Sequence, residues 1–154
     1  MENQRSYESA GRWLSTVHRY GYMHLSKTFD EYGLGEGQVK FLMVLFEKKE
    51  QTQEQMANVL NIDKTTTARA VKKLEDEGYV TRKPHATDRR SHLVCLTAKA
   101  LDMEPMIRSI LKDWTNTLTE DFTDEEKVIV VGLLKRMATN AIAKIKQEEG
   151  VKEK

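Results

Sequence analysis

The sequence predicts a mainly α-helical protein with one small antiparallel β-hairpin, and three observations carry that prediction. Long stretches toward both ends of the chain repeat apolar residues at spacings of three and four, the helical period. Between Gln51 and Gly78, two short capped helical patterns meet at Asn61-Ile62. Directly after them, the stretch from Tyr79 to Thr97 reads as two β-compatible runs around a polar tip. About six helices and a two- or three-stranded antiparallel hairpin are expected.

Each element has its own justification. Trp13, Leu14, Val17, Leu25 and Phe29 punctuate a first helix that Gly33 ends, and Val39, Leu42, Leu45 and Phe46 mark the buried side of a second. A third starts at Thr52, whose hydroxyl caps free backbone N–H groups while Gln55 returns a bond as in a capping box. Met56, Ala57 and Leu60 are its apolar side, and Asn61 stops it because Asn tolerates the left-handed conformation. Asp63 then caps a fourth helix, on which Thr67, Ala70, Val71 and Leu74 share the inward face. Gly78 ends that helix. Tyr79 to Lys83 and Ser91 to Leu96 form the hairpin strands, joined by a tip of about seven residues. Leu101, Met106, Ile110, Trp114 and Leu118 mark a fifth helix. Thr123 with Glu126 makes another capping box, which opens a last helix bearing Val128, Val131, Leu134, Ala138, Ala141 and Ile145.

Two short helices, a tight turn and a basic hairpin are the parts of a winged helix-turn-helix. The outward face of the fourth helix carries Thr65, Ala68, Arg69 and Lys72, flanked by Thr66 and Lys73. Short hydroxylic side chains let a helix approach base edges, Arg donates two bonds to guanine, and Lys neutralises phosphates. Taken alone, that face also fits an ordinary solvated surface. The hairpin favours DNA: Arg82 and Lys83 stand at its base and Asp88, Arg89 and Arg90 in its tip, four cations against one acid. Such a tip suits a phosphate track, or an arginine entering a narrow A·T-rich minor groove.

At these residues the chain resembles the MarR-type winged-helix transcriptional regulators. Asp88-Arg89-Arg90 followed by Val94, Leu96 and Thr97 matches the family's wing pattern of Asp-x-Arg and a strand ending in Leu-Thr. Asp63 to Arg69, and Lys73 to Tyr79 with its Leu-Glu-x-x-Gly-aromatic close, read like the family's recognition helix. Leu34, Gln38 and Leu42 fit the start of its second helix, although Gly35 stands where Thr is usual and Ala100 where Gly is common. The resemblance spans nearly the whole chain. It implies that Arg90 is the wing-tip arginine and that Asp88 holds the tip in shape, a role consistent with a carboxylate orienting a guanidinium two residues away. It implies one domain over residues 1–154, with a DNA-binding core at 34–97 and helical dimerisation regions at 5–33 and 98–147. A homodimer would present two recognition helices to an inverted-repeat operator, and a repressor is expected because a bound dimer occludes polymerase. The resemblance further implies release by a small aromatic or phenolic carboxylate held among the first, second and fifth helices, where Arg19 is a carboxylate partner and Trp13, His18, Tyr20 and Tyr22 are neighbours.

Composition bounds these readings. The 154 residues form one ordinary domain, and no apolar run suggests a membrane span or signal peptide, so a cytoplasmic protein with no membrane partner is expected. Net charge is only +1, so local placement of cations matters and bulk charge does not. No phosphate-cradling glycine loop, nucleophile elbow or metal-ligand spacing supports an enzyme, a metal site or a cofactor. His18, His24, His85 and His92 show no pairing at four-residue spacing. Cys95 is the only cysteine, which excludes an intramolecular disulfide and favours a packed strand residue over a redox sensor. Two alternatives remain beside the operator-binding repressor: a winged helix serving only as a protein-interaction module, and a redox-responsive regulator using Cys95.

Overall fold

The computed structural model describes residues 9–152, so residues 5–8 of the expected N-terminal dimerisation region lie outside it. In chain order the elements are α1 (Ala10–Asp30), α2 (Glu36–Glu47), β1 (Glu50–Thr52), α3 (Gln53–Leu60), α4 (Lys64–Asp76), β2 (Val80–Pro84), β3 (His92–Leu96), α5 (Ala98–Leu118) and α6 (Asp124–Lys152). Contacts divide the chain into two compact units, one ending at Ile110 and the other beginning at Leu111. No helix among the described residues is long and apolar enough to cross a membrane.

Local chemistry sets the boundaries in the first unit. The Ser9 hydroxyl accepts the Arg12 N–H at 3.2 Å and starts α1. Gly33, at φ +67°, turns the chain toward α2 in a conformation that L side chains disfavour. The Thr52–Gln55 capping box is present at both bonds, 3.2 and 2.9 Å, and Asn61 ends α3 at φ 51°, ψ 46°. Asp63 caps α4, and Gly78 at φ +77° sends the chain from α4 into β2.

The expected inward face of α4 is buried at all four positions, Thr67, Ala70, Val71 and Leu74. They pack with Met56 of α3 and with the buried side of α2 in the core of this unit, where each fully buried aliphatic side chain contributes about 1.5–3 kcal/mol. On α2 that side is Val39, Phe41, Leu42 and Leu45. Phe46, expected among them, is only half-buried and lies against the Arg108 guanidinium at 5.8 Å. Phe41, four residues before Leu45, is fully buried instead.

The sheet is three-stranded and antiparallel, in the order β1-β3-β2. Arg82 pairs with Val94 on one side of β3 and Gln51 pairs with Val94 on the other. β1 has no apolar alternation to announce it. Its central Gln51 is buried, and the side-chain amide donates to the Val44 carbonyl at 3.0 Å, which satisfies a polar group placed inside the core.

Apolar residues toward both ends are present at helical spacing but are not buried within the chain. On α1, Gly21, Leu25 and Phe29 are buried, whereas Trp13, Leu14 and Val17 are exposed. On α5 the buried residues are Ala100 and Ile107; Leu101 and Leu118 are exposed, and Met106, Ile110 and Trp114 are half-buried. The Thr123–Glu126 capping box opens α6 as expected, with bonds of 2.8 and 3.2 Å. Along α6, Val128 is 74% exposed and Val131, Leu134 and Ile145 are 47%, 42% and 54% exposed.

Candidate nucleic-acid interface

Two elements of the first unit present the cations, and intramolecular pairing sorts them into two groups. On α4, Arg69, Lys72 and Lys73 are exposed, as are Thr65 and Thr66, while Ala68 is half-buried. Lys72 binds Asp76 one turn on at 2.5 Å, which raises its pKa. At the hairpin base, Arg82 donates to Gln53 and, at 3.3 Å, to Glu75. Lys83 pairs with Glu50, and that ammonium holds the Glu50 carboxyl below its ordinary range. By contrast, Arg69, Lys73, Arg89 and Arg90 enter no ion pair among the described residues. Those four are available to an anionic partner. The other three fasten the hairpin to α3, α4 and β1, or lie along α4 itself.

The hydroxyls divide similarly. Thr66 donates its hydroxyl to Asp63 at 2.6 Å and its backbone N–H to the same carboxylate at 2.8 Å, bonds that together lower the Asp63 pKa. The Thr66 hydroxyl thus helps to form the helix cap and keeps only its acceptor capacity for a base edge. Thr67 turns its hydroxyl back onto the Asp63 carbonyl at 2.9 Å, and Thr65 stays exposed at the start of the helix.

The tip is shaped by backbone contacts. Asp88 accepts the Arg90 backbone N–H at 2.9 Å, and this bond, with one from Ser91, lowers its pKa. The carboxylate therefore fixes the chain at Arg90 through the main chain and leaves the guanidinium free, whereas a direct carboxylate–guanidinium contact was the expected means. His85 supplies a contribution that the sequence did not announce: its Nδ1 accepts the N–H groups of Thr87 and Asp88, both at 3.3 Å. Between the tip and the start of α3 lies an open polar cleft of about 370 Å³, lined by Thr52, Gln53, Arg82, His85, Arg90 and His92 among others. The supports Gln53 and Glu50 lie far in sequence from the cations they hold, whereas Glu75, close in sequence to Arg82, meets it because the turn at Gly78 folds β2 back beside the end of α4.

In sequence and fold the chain is similar to known proteins. The MarR family pattern covers residues 34–92, from the turn before α2 to the start of β3. The uncharacterized HTH-type transcriptional regulator YybA of Bacillus subtilis (strain 168) is 31% identical over 112 residues, which cover 73% of this chain and 75% of that protein. The chain belongs to the MarR family. A MarR transcriptional regulator from Methanosarcina mazei Go1 shares 39% identity and superposes with a TM-score of 0.80, over 86% of this chain and 96% of that one. A MarR family regulator from Listeria monocytogenes, solved in complex with 26mer DNA, shares 25% identity with a TM-score of 0.83 over 89% and 91% of the two chains. Family and fold together identify a DNA-binding transcriptional regulator.

The residues expected around an effector do not converge within one chain. All five lie exposed on α1. Trp13 and Tyr20, seven apart, share one helical face, while His18 and Tyr22, four apart, share the opposite one. The Arg19 guanidinium lies over the Tyr20 ring, 5.2 Å from its centre. Among the described residues no group of three or more His, Cys, Asp or Glu side chains is placed to hold a metal ion. Cys95 is partly buried in β3, and burial, reinforced by nearby Glu50, outweighs Lys83 and pushes its thiol pKa up.

Proposed function

We propose that this regulator is a cytoplasmic homodimer that represses transcription by occupying an inverted-repeat operator. In this reading residues 34–97 form the DNA-binding core, and residues 5–33 and 98–147 join the two subunits. Thr65, Thr66, Ala68 and Arg69 face base edges in the major groove, and Lys73, with a smaller share from Lys72, neutralises phosphates. Arg89 and Arg90 serve the flanking groove at the wing tip, with Asp88, Arg82 and Lys83 holding the wing in shape. The observation that carries the proposal is the sorting of cations: the outward face of α4 and the hairpin tip keep Arg69, Lys73, Arg89 and Arg90 out of ion pairs. Unpaired guanidinium and ammonium groups are what counterion release from a phosphate backbone requires.

Dimerisation is supported by the apolar side chains left exposed on α1 and α6, more than a folded monomer needs to present. A two-fold dimer reads half-sites about one helical turn apart, roughly 34–36 Å. A small aromatic carboxylate is proposed as the releasing ligand. Arg19, whose guanidinium lies over the Tyr20 ring, is proposed as its carboxylate partner with Trp13 and Tyr20 as neighbours; His18 and Tyr22, on the opposite face of α1, are not placed to reach the same molecule. Such a ligand acts only through a difference in affinity between operator-bound and released arrangements.

The test is selection from random duplexes by the purified protein at physiological salt, followed by affinity measurement with and without salicylate. Recovery of an inverted repeat whose affinity falls with salicylate is the expected result. Absence of enrichment over random DNA would overturn the operator reading in favour of a protein-interaction module.

A further inference from the structure

The segment leaving α4, Glu77–Tyr79, is gripped from two sides by residues that lie outside the proposed DNA-facing surface. Three successive carbonyls are held by the start of α5. Lys99 Nζ donates to the Glu77 carbonyl at 2.7 Å, the Thr97 hydroxyl to the Gly78 carbonyl at 2.7 Å, and the Thr97 N–H to the Tyr79 carbonyl at 3.1 Å. The Lys99 ammonium also lies 4.3 Å from the centre of the Tyr79 ring. Glu77 is the C-cap of α4, so Lys99 places a cation at the negative end of the recognition helix from 22 residues away.

On its other side the segment meets the end of α1. Tyr79 is buried, and its phenol donates to the Tyr32 carbonyl at 2.6 Å. Next to Tyr32, Gly33 closely approaches the Glu77 carboxylate, and a Cβ there would collide with it. α4 packs on α2, α3 and β2 but makes no comparably extensive contact with α5. The polar bonds at Glu77–Tyr79 are therefore the principal tie between α5 and the recognition helix.

We propose that Lys99 and Tyr79 are positioning residues that transmit displacements of α5 and of the α1 end to the recognition helix. A hydrogen bond of 2.7 Å is lost within less than an ångström of stretch, so a shift of α5 by an ångström or two must either break this junction or carry α4 with it. The fold thereby couples the helices proposed to join the dimer to the spacing of its two reading heads. This inference rests on the operator reading above.

Three variants of the full chain test it: Lys99→Met, which keeps the stem and loses the cation; Lys99→Arg, which keeps the cation; and Tyr79→Phe, which keeps the ring and loses the hydroxyl. Affinity is measured for the selected operator, for versions with half-site spacing altered by one base pair, and for an isolated half-site. Lys99→Met and Tyr79→Phe should cut the preference for native spacing by about tenfold, with half-site affinity and Tm little changed and Lys99→Arg restoring the preference. Unchanged spacing preference in both variants would overturn the proposal. So would equal losses at every spacing and at the half-site alongside a fall in Tm, which would mark a merely structural role. Amide exchange without DNA separates this proposal from the operator reading. Lys99→Met should speed exchange at Gly33 and Leu34 beyond the Tyr79 phenol, and unchanged protection there would overturn the junction even if wild-type protein selected no operator.

Discussion

The sorting of cations predicts which substitutions alter the salt dependence of DNA binding. Each phosphate neutralised contributes about 0.9 to the slope of log affinity against log salt concentration, so Arg90→Ala should lower the slope by about 0.9 per subunit and about 1.8 in a homodimer. Between 50 and 200 mM salt a slope smaller by 1.8 corresponds to about tenfold less salt-induced weakening. Lys83→Met should behave differently. Lys83 already faces the Glu50 carboxylate, so its charge displaces fewer counterions from DNA. Its loss should weaken binding by loosening the hairpin and uncovering Glu50, while changing the slope by less than half as much. Arg89→Ala and Lys73→Met should follow Arg90, Arg69→Ala should instead alter base preference, and Lys72→Met should follow Lys83 because Asp76 holds its ammonium. Fluorescence anisotropy titrations on the selected operator at four or so salt concentrations give these slopes. Equal slope changes for Lys83→Met and Arg90→Ala would refute the reasoning that intramolecular pairing decides which cations meet phosphate.

Further outcomes follow from the same geometry. Leu74→Ala empties a fully buried position beneath the recognition helix and should cost about 3 kcal/mol in urea denaturation; a loss below about 1 kcal/mol would show that the site collapses without penalty. Asp63 and Asp88 have pKa values depressed by the bonds they accept, so their stabilising effect is complete above the ordinary carboxylate pKa of about 4 and is lost only as pH falls through their lower folded values. The amide shifts of Thr66 and Arg90 should accordingly titrate with midpoints below about 4, and midpoints at or above that value would contradict the cap assignments. Cys95 should react with a disulfide reagent more slowly than in the unfolded chain, since burial raises its thiol pKa, and Cys95→Ser should leave operator affinity unchanged. Peroxide release of operator by wild-type protein but not by Cys95→Ser would instead establish the redox reading.

What the sequence revealed was local. The caps at Thr52, Asp63 and Thr123, the left-handed stop at Asn61 and the inward face of α4 all depend on residues within one or two turns of each other, and each is present. β1 was not foreseen as a strand because its three residues gain their ladder only from β3, more than forty positions away. Two supports of the hairpin, Gln53 for Arg82 and Glu50 for Lys83, were likewise hidden by distance in sequence, while the nearby Glu75 meets Arg82 only through the turn at Gly78. Asp88 was read from the family's wing pattern, yet its means of action, a bond to the Arg90 backbone N–H, is a matter of tip conformation that side-chain type does not encode. Exposure also escaped the reading: apolar spacing on α1 and α6 shows a helix with residues to bury, but not whether the chain itself buries them.

Hydroxyl-radical footprinting of the selected operator with wild-type protein and with Arg90→Ala tests the central claim most directly. A homodimer reading through α4 and the wing predicts two equivalent protected regions related by the operator dyad, with recognition centres about one helical turn apart, and flanking minor-groove protection that Arg90→Ala removes while central protection persists. A single asymmetric footprint, or flanking protection that survives the loss of Arg90, would contradict it.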